Sequence, residues 1–248
     1  MHYINPPAEA PGNVTHHTFY CKLYGHELGY NVYLPDGYET GDERYPVYYH
    51  LHGWTGNESS EIHTMYPVCC VRDAITVFPN SSPVIEEREY LPVEEMLVQE
   101  LIPLIDSLYK TQASREGRGI SGFSMGGGAA MVYGLKHPEL FSSITAYAGT
   151  YHHYFYYTDF RTVGAPIEKA EAFYQDLLKT DAPMEKNILK LAEQQADAMR
   201  QMRISMHIGT KDVLYCDNEI FRLHLDKLGI AYEYKQYEDA EHHLPSIL

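Results

Sequence analysis

Short apolar runs along this chain alternate with longer stretches in which apolar residues return every third or fourth position. That alternation predicts a mostly parallel sheet covered by helices on both faces. The first two runs differ. Thr15 to Cys21 and Leu28 to Leu34 alternate in polarity, with Tyr30, Val32 and Leu34 on one face, and Pro35-Asp36-Gly37 supplies a turn behind them. They predict antiparallel strands at the start of the sheet. Tyr45 to Leu51 is rich in strand formers, and Ala74 to Phe78 is another short apolar strand that stops at Pro79-Asn80.

Between Val93 and Tyr109 the residues Met96, Leu97, Leu101, Leu104, Ile105 and Leu108 recur at helical spacing, and Pro103 among them predicts a kink. Gly119-Ile120-Ser121 reads as a brief strand, followed by a helix over Gly126 to Leu135 rich in glycine and alanine. Ser143 to Tyr147, Ile204 to Ile208 and Ala231 to Gln236 read as the remaining strands. From about 150 to 203 the chain is long and mainly helical; strands resume after it, which predicts an insertion or cap rather than a separate domain. The expectation is one α/β domain over residues 1–248, with an eight- to nine-stranded sheet.

Composition changes this picture little. Hydrophobic residues at 44% and charged residues at 21% are ordinary for a folded protein and exclude a disordered chain. A net charge of −15 argues against nucleic acid and anionic membrane surfaces as partners. The 23 tyrosines against one tryptophan read mostly as strand and core residues, although such rings also suit walls that meet aromatic or sugar ligands. Cys21, Cys69, Cys70 and Cys216 fit no zinc or redox spacing and read as buried free thiols. Met1 to Pro7 has neither the basic start nor the apolar run of a signal peptide, and no stretch approaches the roughly 20 apolar residues of a membrane helix. The chain therefore reads as soluble: cytoplasmic as it stands, or secreted with its leader missing.

The chemistry sits in Gly122-Phe123-Ser124-Met125-Gly126, a G-x-S-x-G motif between a predicted strand and a small-residue helix. In that context the motif makes a tight turn that presents a serine hydroxyl as a nucleophile, and the helix N-terminus favours developing negative charge. Two backbone N–H groups should then receive an oxyanion. One is that of Met125. The other belongs to the loop His52-Gly53-Trp54-Thr55-Gly56 after the strand ending at Leu51, which makes Trp54 the second donor. His50-x-His52 could place two imidazoles on one strand face, but no carboxylate or cysteine at ligand spacing accompanies them, so no metal is expected there. His52 is a candidate for ordering the loop or contacting substrate.

An acid and then a histidine should follow the serine in chain order. Asp212 closes Ile204 to Lys211 at a strand end, while Asp217, at the start of the next helix, is a poorer alternative. The loop Glu238-Asp239-Ala240-Glu241-His242-His243 holds two candidate bases, which the residues alone do not separate.

Together these segments resemble the esterase D-like branch of α/β hydrolases, which includes the feruloyl and acetylxylan esterases of carbohydrate esterase family 1. The likeness rests on Gly29 to Pro35, Tyr45 to Gly53, Gly122 to Gly127, Gly209-Thr210-Lys211-Asp212 and the His242 loop. It implies an α/β-hydrolase fold and a Ser124, Asp212, His242 triad acting through an acyl-enzyme, with no cofactor or metal. It selects His242 over His243 although Glu241 and His243 depart from the family's glycine and aspartate. The implied substrates are feruloyl esters of plant cell-wall polysaccharide, with acetylxylan or short-chain esters as the alternative and acyl transfer by the same triad as another. The run from Tyr147 to Tyr157, with Tyr151 as its candidate contact, is expected to wall the acyl site.

Overall fold

The computed structural model describes residues 2–83, 92–151, 160–179 and 187–248. Its strands are β1 Val14–Cys21, β2 His26–Tyr33, β3 Val47–Leu51, β4 Ile75–Pro79, β5 Arg118–Phe123, β6 Ser143–Tyr147, β7 Arg203–Gly209 and β8 Glu233–Tyr237. They form one eight-stranded sheet in the order β1-β2-β4-β3-β5-β6-β7-β8. β2 pairs antiparallel with both β1 and β4, whereas β3 with β4, β6 with β7, and β7 with β8 run parallel. This is the α/β-hydrolase sheet with the antiparallel start that the alternating runs predict. Contacts divide the chain inside β5 into two compact units, Met1–Ile120 and Ser121–Leu248.

In the first unit, β2 is buried over its last six residues, Leu28 to Tyr33, rather than on one face. Asn31 can be buried there because its amide donates to the Glu58 carbonyl at 2.9 Å and to Ser59 Oγ at 3.0 Å. Tyr30, Tyr49, Leu51, Ile75, Met96 and Leu97 are buried in the core of this unit. The segment with Pro103 does not simply kink. An α-helical turn at Val93–Glu95 widens into a π-helix over Met96–Leu101 before the α-helix Ile102–Leu108. The Ile102 N–H reaches back five residues to the Leu97 carbonyl. A proline ring would clash with the carbonyl four residues back in an α-helix, and the wider turn relieves that contact.

In the second unit, the helix Met125–Lys136 is buried from Met125 through Leu135. A Cβ on Gly127 would lie 3.0 Å from the Gly122 carbonyl, the Gly149 Cα and the Tyr147 carbonyl, so only glycine lets this helix lie so close to the strand ends. The described parts of the 150–203 stretch include the helices Ala170–Leu177, Ile188–Gln194 and Ala196–Met199. Tyr174 donates its hydroxyl to His224 Nδ1 at 3.0 Å, and His224 Nε2 donates to the Leu189 carbonyl at 2.9 Å. These bonds tie the helical stretch to the helix Tyr215–Leu228.

Cys21, Cys69 and Cys216 are buried free thiols, but Cys70 is exposed, because it ends the helix Ile62–Cys70 on the side away from buried Met65 and Cys69. Among the described residues no helix is long and apolar enough to cross a membrane. Gly127→Ala should destabilise the protein by about 1–3 kcal/mol, because the contacts that must give are backbone; urea unfolding of the variant measures this.

Candidate active site

The β5-to-helix turn forces Ser124 into a conformation that side chains rarely adopt, with φ 55° and ψ −116°. Three backbone bonds hold it there. The Ser124 N–H donates to the Tyr147 carbonyl at 2.8 Å, and its own carbonyl accepts from Gly128 N–H at 3.0 Å and Thr150 N–H at 3.1 Å. The helix that follows and the end of β6 thus fix one residue from two directions, and its side chain projects from the turn.

Asp212 follows β7, with its side chain wholly buried. One carboxylate oxygen, Oδ1, accepts the Leu214 N–H at 2.8 Å, which anchors the group to its own turn. His242 Nδ1 lies 2.8 Å from Asp212 Oδ2 and 3.0 Å from Oδ1, while its Nε2 lies 2.9 Å from Ser124 Oγ. A carboxylate only accepts, so Nδ1 carries the ring proton and donates it. That leaves the Nε2 lone pair to accept from the serine hydroxyl. The Phe123 ring stacks on the imidazole with centroids 4.8 Å apart and planes inclined by 27°, restricting the ring to this line.

His243 turns away: it is exposed, and its Nδ1 lies 3.0 Å from Ser246 Oγ. The geometry separates the two histidines that the residues alone did not. Asp217 does not compete with Asp212, since its buried carboxylate accepts from the Tyr151 N–H at 2.8 Å and from Thr162 Oγ1 at 3.0 Å. Met125 is the first residue of the helix after Ser124. Trp54 lies in the first unit, in the loop after β3, with a side chain that is largely exposed.

Two expected substrate contacts have other surroundings. His52 is buried and receives the Ser81 N–H at Nε2 over 3.1 Å, so its Nδ1–H donates to the Gly53 carbonyl at 2.8 Å. Both nitrogens therefore order the loop, and none faces a ligand. Burial holds the His52 imidazole below its ordinary value. Tyr151 is also buried, its ring 4.7 Å from that of Phe221, because Asp217 draws its backbone inward. The remaining aromatic run, His152 to Tyr157, lies outside the described residues. His50 pairs with Glu61 Oε2 at 2.7 Å, and Glu61 Oε1 accepts the Gly53 N–H at 2.8 Å, so Glu61 orders the same loop.

Sequence reasoning missed Phe123 and Thr150. Phe123 is the variable position inside the pentapeptide, and nothing in the chain marks its ring as the neighbour of a histidine 119 positions later. The thiols offer no rival nucleophile inside the core: burial pushes Cys21, Cys69 and Cys216 each up to about 11, where they stay protonated.

An α/β-hydrolase sheet with a serine, histidine and aspartate in one hydrogen-bonded line defines the class. Residues 22–244 match the model of the Esterase family, and the chain belongs to that family. A curated relative, the endo-1,4-beta-xylanase/feruloyl esterase of Xylanibacter ruminicola, is 32% identical over 154 residues, covering 52% of this chain and 20% of that protein. The chain thus spans about a fifth of the relative's length. Among solved structures, a ferulic acid esterase superposes with a TM-score of 0.72 at 21% identity, over 93% of this chain and 91% of the other. The S-formylglutathione hydrolase of Staphylococcus aureus superposes with a TM-score of 0.71 at 16% identity, over 93% and 92%. At these identities the two structures share the fold.

The neutral, buried His52 makes a pH prediction. Its folded pKa is depressed, so the unfolded chain binds the proton more readily below about pH 6.5. Stability is then fully present above that pH and falls as pH drops. His52→Gln, which keeps an acceptor for Ser81, should flatten the pH dependence of the unfolding free energy below about pH 6.5, measured by urea unfolding across pH.

Proposed function

We propose that this chain is a serine carboxylic-ester hydrolase. One observation carries the reading: His242 stands between Ser124 Oγ at 2.9 Å and the buried Asp212 carboxylate at 2.8 Å, with its tautomer fixed. In the proposed mechanism Ser124 Oγ attacks the ester carbonyl and His242 Nε2 takes the hydroxyl proton. Asp212 stabilises the imidazolium and keeps the ring oriented. The proton passes to the leaving alcohol as its bond to the acyl carbon breaks. Water then repeats the sequence on the acyl-enzyme and frees the acid. The proposed oxyanion donors are the Met125 N–H, at the start of the nucleophile helix, and the Trp54 N–H, on its place in chain order after β3. The partly exposed His242 side chain favours water as the acceptor over a bound alcohol, and so hydrolysis over acyl transfer.

We further propose feruloyl esters of plant polysaccharide as the substrate class. The support is the activity for which the xylanase/feruloyl esterase relative is named and the fold shared with a ferulic acid esterase. The depression beside His242, lined by Lys211, Val213, Asp239, Glu241 and His243, offers a hydroxyl-rich alcohol several hydrogen-bonding groups.

Ser124→Ala should keep the fold and lower kcat by roughly 10⁶-fold, and Asp212→Asn should lower kcat by roughly 10⁴-fold through the wrong tautomer. Circular dichroism with methyl ferulate kinetics tests both, and near-normal turnover by folded Ser124→Ala would overturn the reading. A panel of methyl ferulate, acetylated xylan and p-nitrophenyl acetate tests the acyl group; the highest kcat/KM is expected on the ferulate. Greater efficiency on acetylated xylan would replace feruloyl by acetyl specificity.

A further inference from the structure

Two loops, one carrying Asp212 and the other His242, must meet for the hydrogen-bonded line to exist. They meet at residues outside the triad. Gly209 ends β7, and a Cβ there would lie 2.6 Å from the Ala240 carbonyl carbon, and closer still to its oxygen. That obstacle is backbone, so no side-chain rotation clears it. Thr210 N–H donates to the Tyr237 carbonyl at 3.0 Å, and Lys211 N–H to the Ala240 carbonyl at 2.9 Å. In the opposite direction Asp239 N–H donates to Thr210 Oγ1 at 2.9 Å. Asp239 has a φ of 58°, a left-handed turn that sends the chain back toward His242. The Lys211 and Asp239 side chains also form an ion pair at 2.6 Å, but both are more than half exposed and solvent screens it.

We propose that Gly209 and Thr210 are positioning residues that set the distance between Asp212 and His242. Gly209 supplies the close approach: it lets the Ala240 carbonyl pass against the end of β7, three residues before Asp212 and two before His242. Thr210 supplies the lock, since its hydroxyl takes the Asp239 N–H at the left-handed turn. Neither touches a reacting atom. This rests on the triad reading above, because the separation matters only if His242 is the base and Asp212 its partner.

The test compares Gly209→Ala and Thr210→Val with the unaltered protein in kcat, KM and the pH dependence of kcat/KM on methyl ferulate, each normalised to folded protein by circular dichroism. Gly209→Ala must push the Ala240 backbone away by about 1 Å, and a displacement of that size costs roughly 100-fold in kcat with KM little changed. A carboxylate held farther from the imidazole stabilises its charged form less. The acid limb of the pH profile should therefore move to lower pH, which a loss of folded protein alone would not do. Thr210→Val keeps the side-chain shape and deletes one acceptor, so it should move both readouts in the same direction by about 3- to 10-fold in kcat, and it serves if Gly209→Ala does not fold. Unchanged kcat with an unmoved acid limb in the folded variants overturns the positioning role, as does lost activity with an unmoved limb. Full activity in Ser124→Ala overturns the triad reading instead, independently of Gly209.

Discussion

The site depends on one strained residue. Ser124 occupies a backbone conformation costing on the order of 1–3 kcal/mol for a residue with a side chain, and the surrounding bonds over-determine it. Tyr147 at the end of β6, Thr150 three residues beyond it and Gly128 in the next helix all bond its backbone. Those bonds need the helix to lie close to the strand ends, which explains the glycine at 127. A bulkier residue there would separate helix from strand and release the turn. The glycine-rich helix therefore serves packing and the geometry of Ser124 together.

The second requirement is a fixed imidazole. Asp212 is buried with a backbone N–H on one oxygen, so its charge is directed at His242 rather than spent on water. Phe123 adds a steric limit on the ring, and its chain neighbour is the serine itself. Any motion of the turn thus carries Ser124 and the ring's support together. The arrangement couples the geometry of β5 to that of the loop after β8, which is what the proposed proton transfer requires.

Much of this was legible in the sequence because it depends on local chemistry. G-x-S-x-G between a strand and a small-residue helix specifies a turn almost regardless of context, and Asp212 lies where β7 must end. The alternating run after Leu28 was less legible: tertiary burial covers both faces of β2, and Asn31 is tolerated only through long-range partners. Pro103 marked a disturbed helix, but its resolution into a π-turn depends on packing around Met96 and Leu101. His242 and His243 are equivalent by composition, and the direction of one loop turn distinguishes them. The loop-ordering role expected of His52 agrees with its bonds to Gly53 and Ser81, whereas the substrate contacts expected of His52 and Tyr151 followed from proximity in the chain, and burial set where those side chains point. Gly209 lies in a recognisable segment, yet its obstacle is a carbonyl 31 residues later.

The central claim is that Ser124 is the residue that becomes acylated. Incubation with a fluorophosphonate, which traps an activated serine as a stable covalent adduct, followed by intact-mass measurement and peptide mapping, tests it directly. The account predicts a single adduct on the peptide carrying Ser124. No adduct, or one on another serine with Ser124 unmodified, would contradict it.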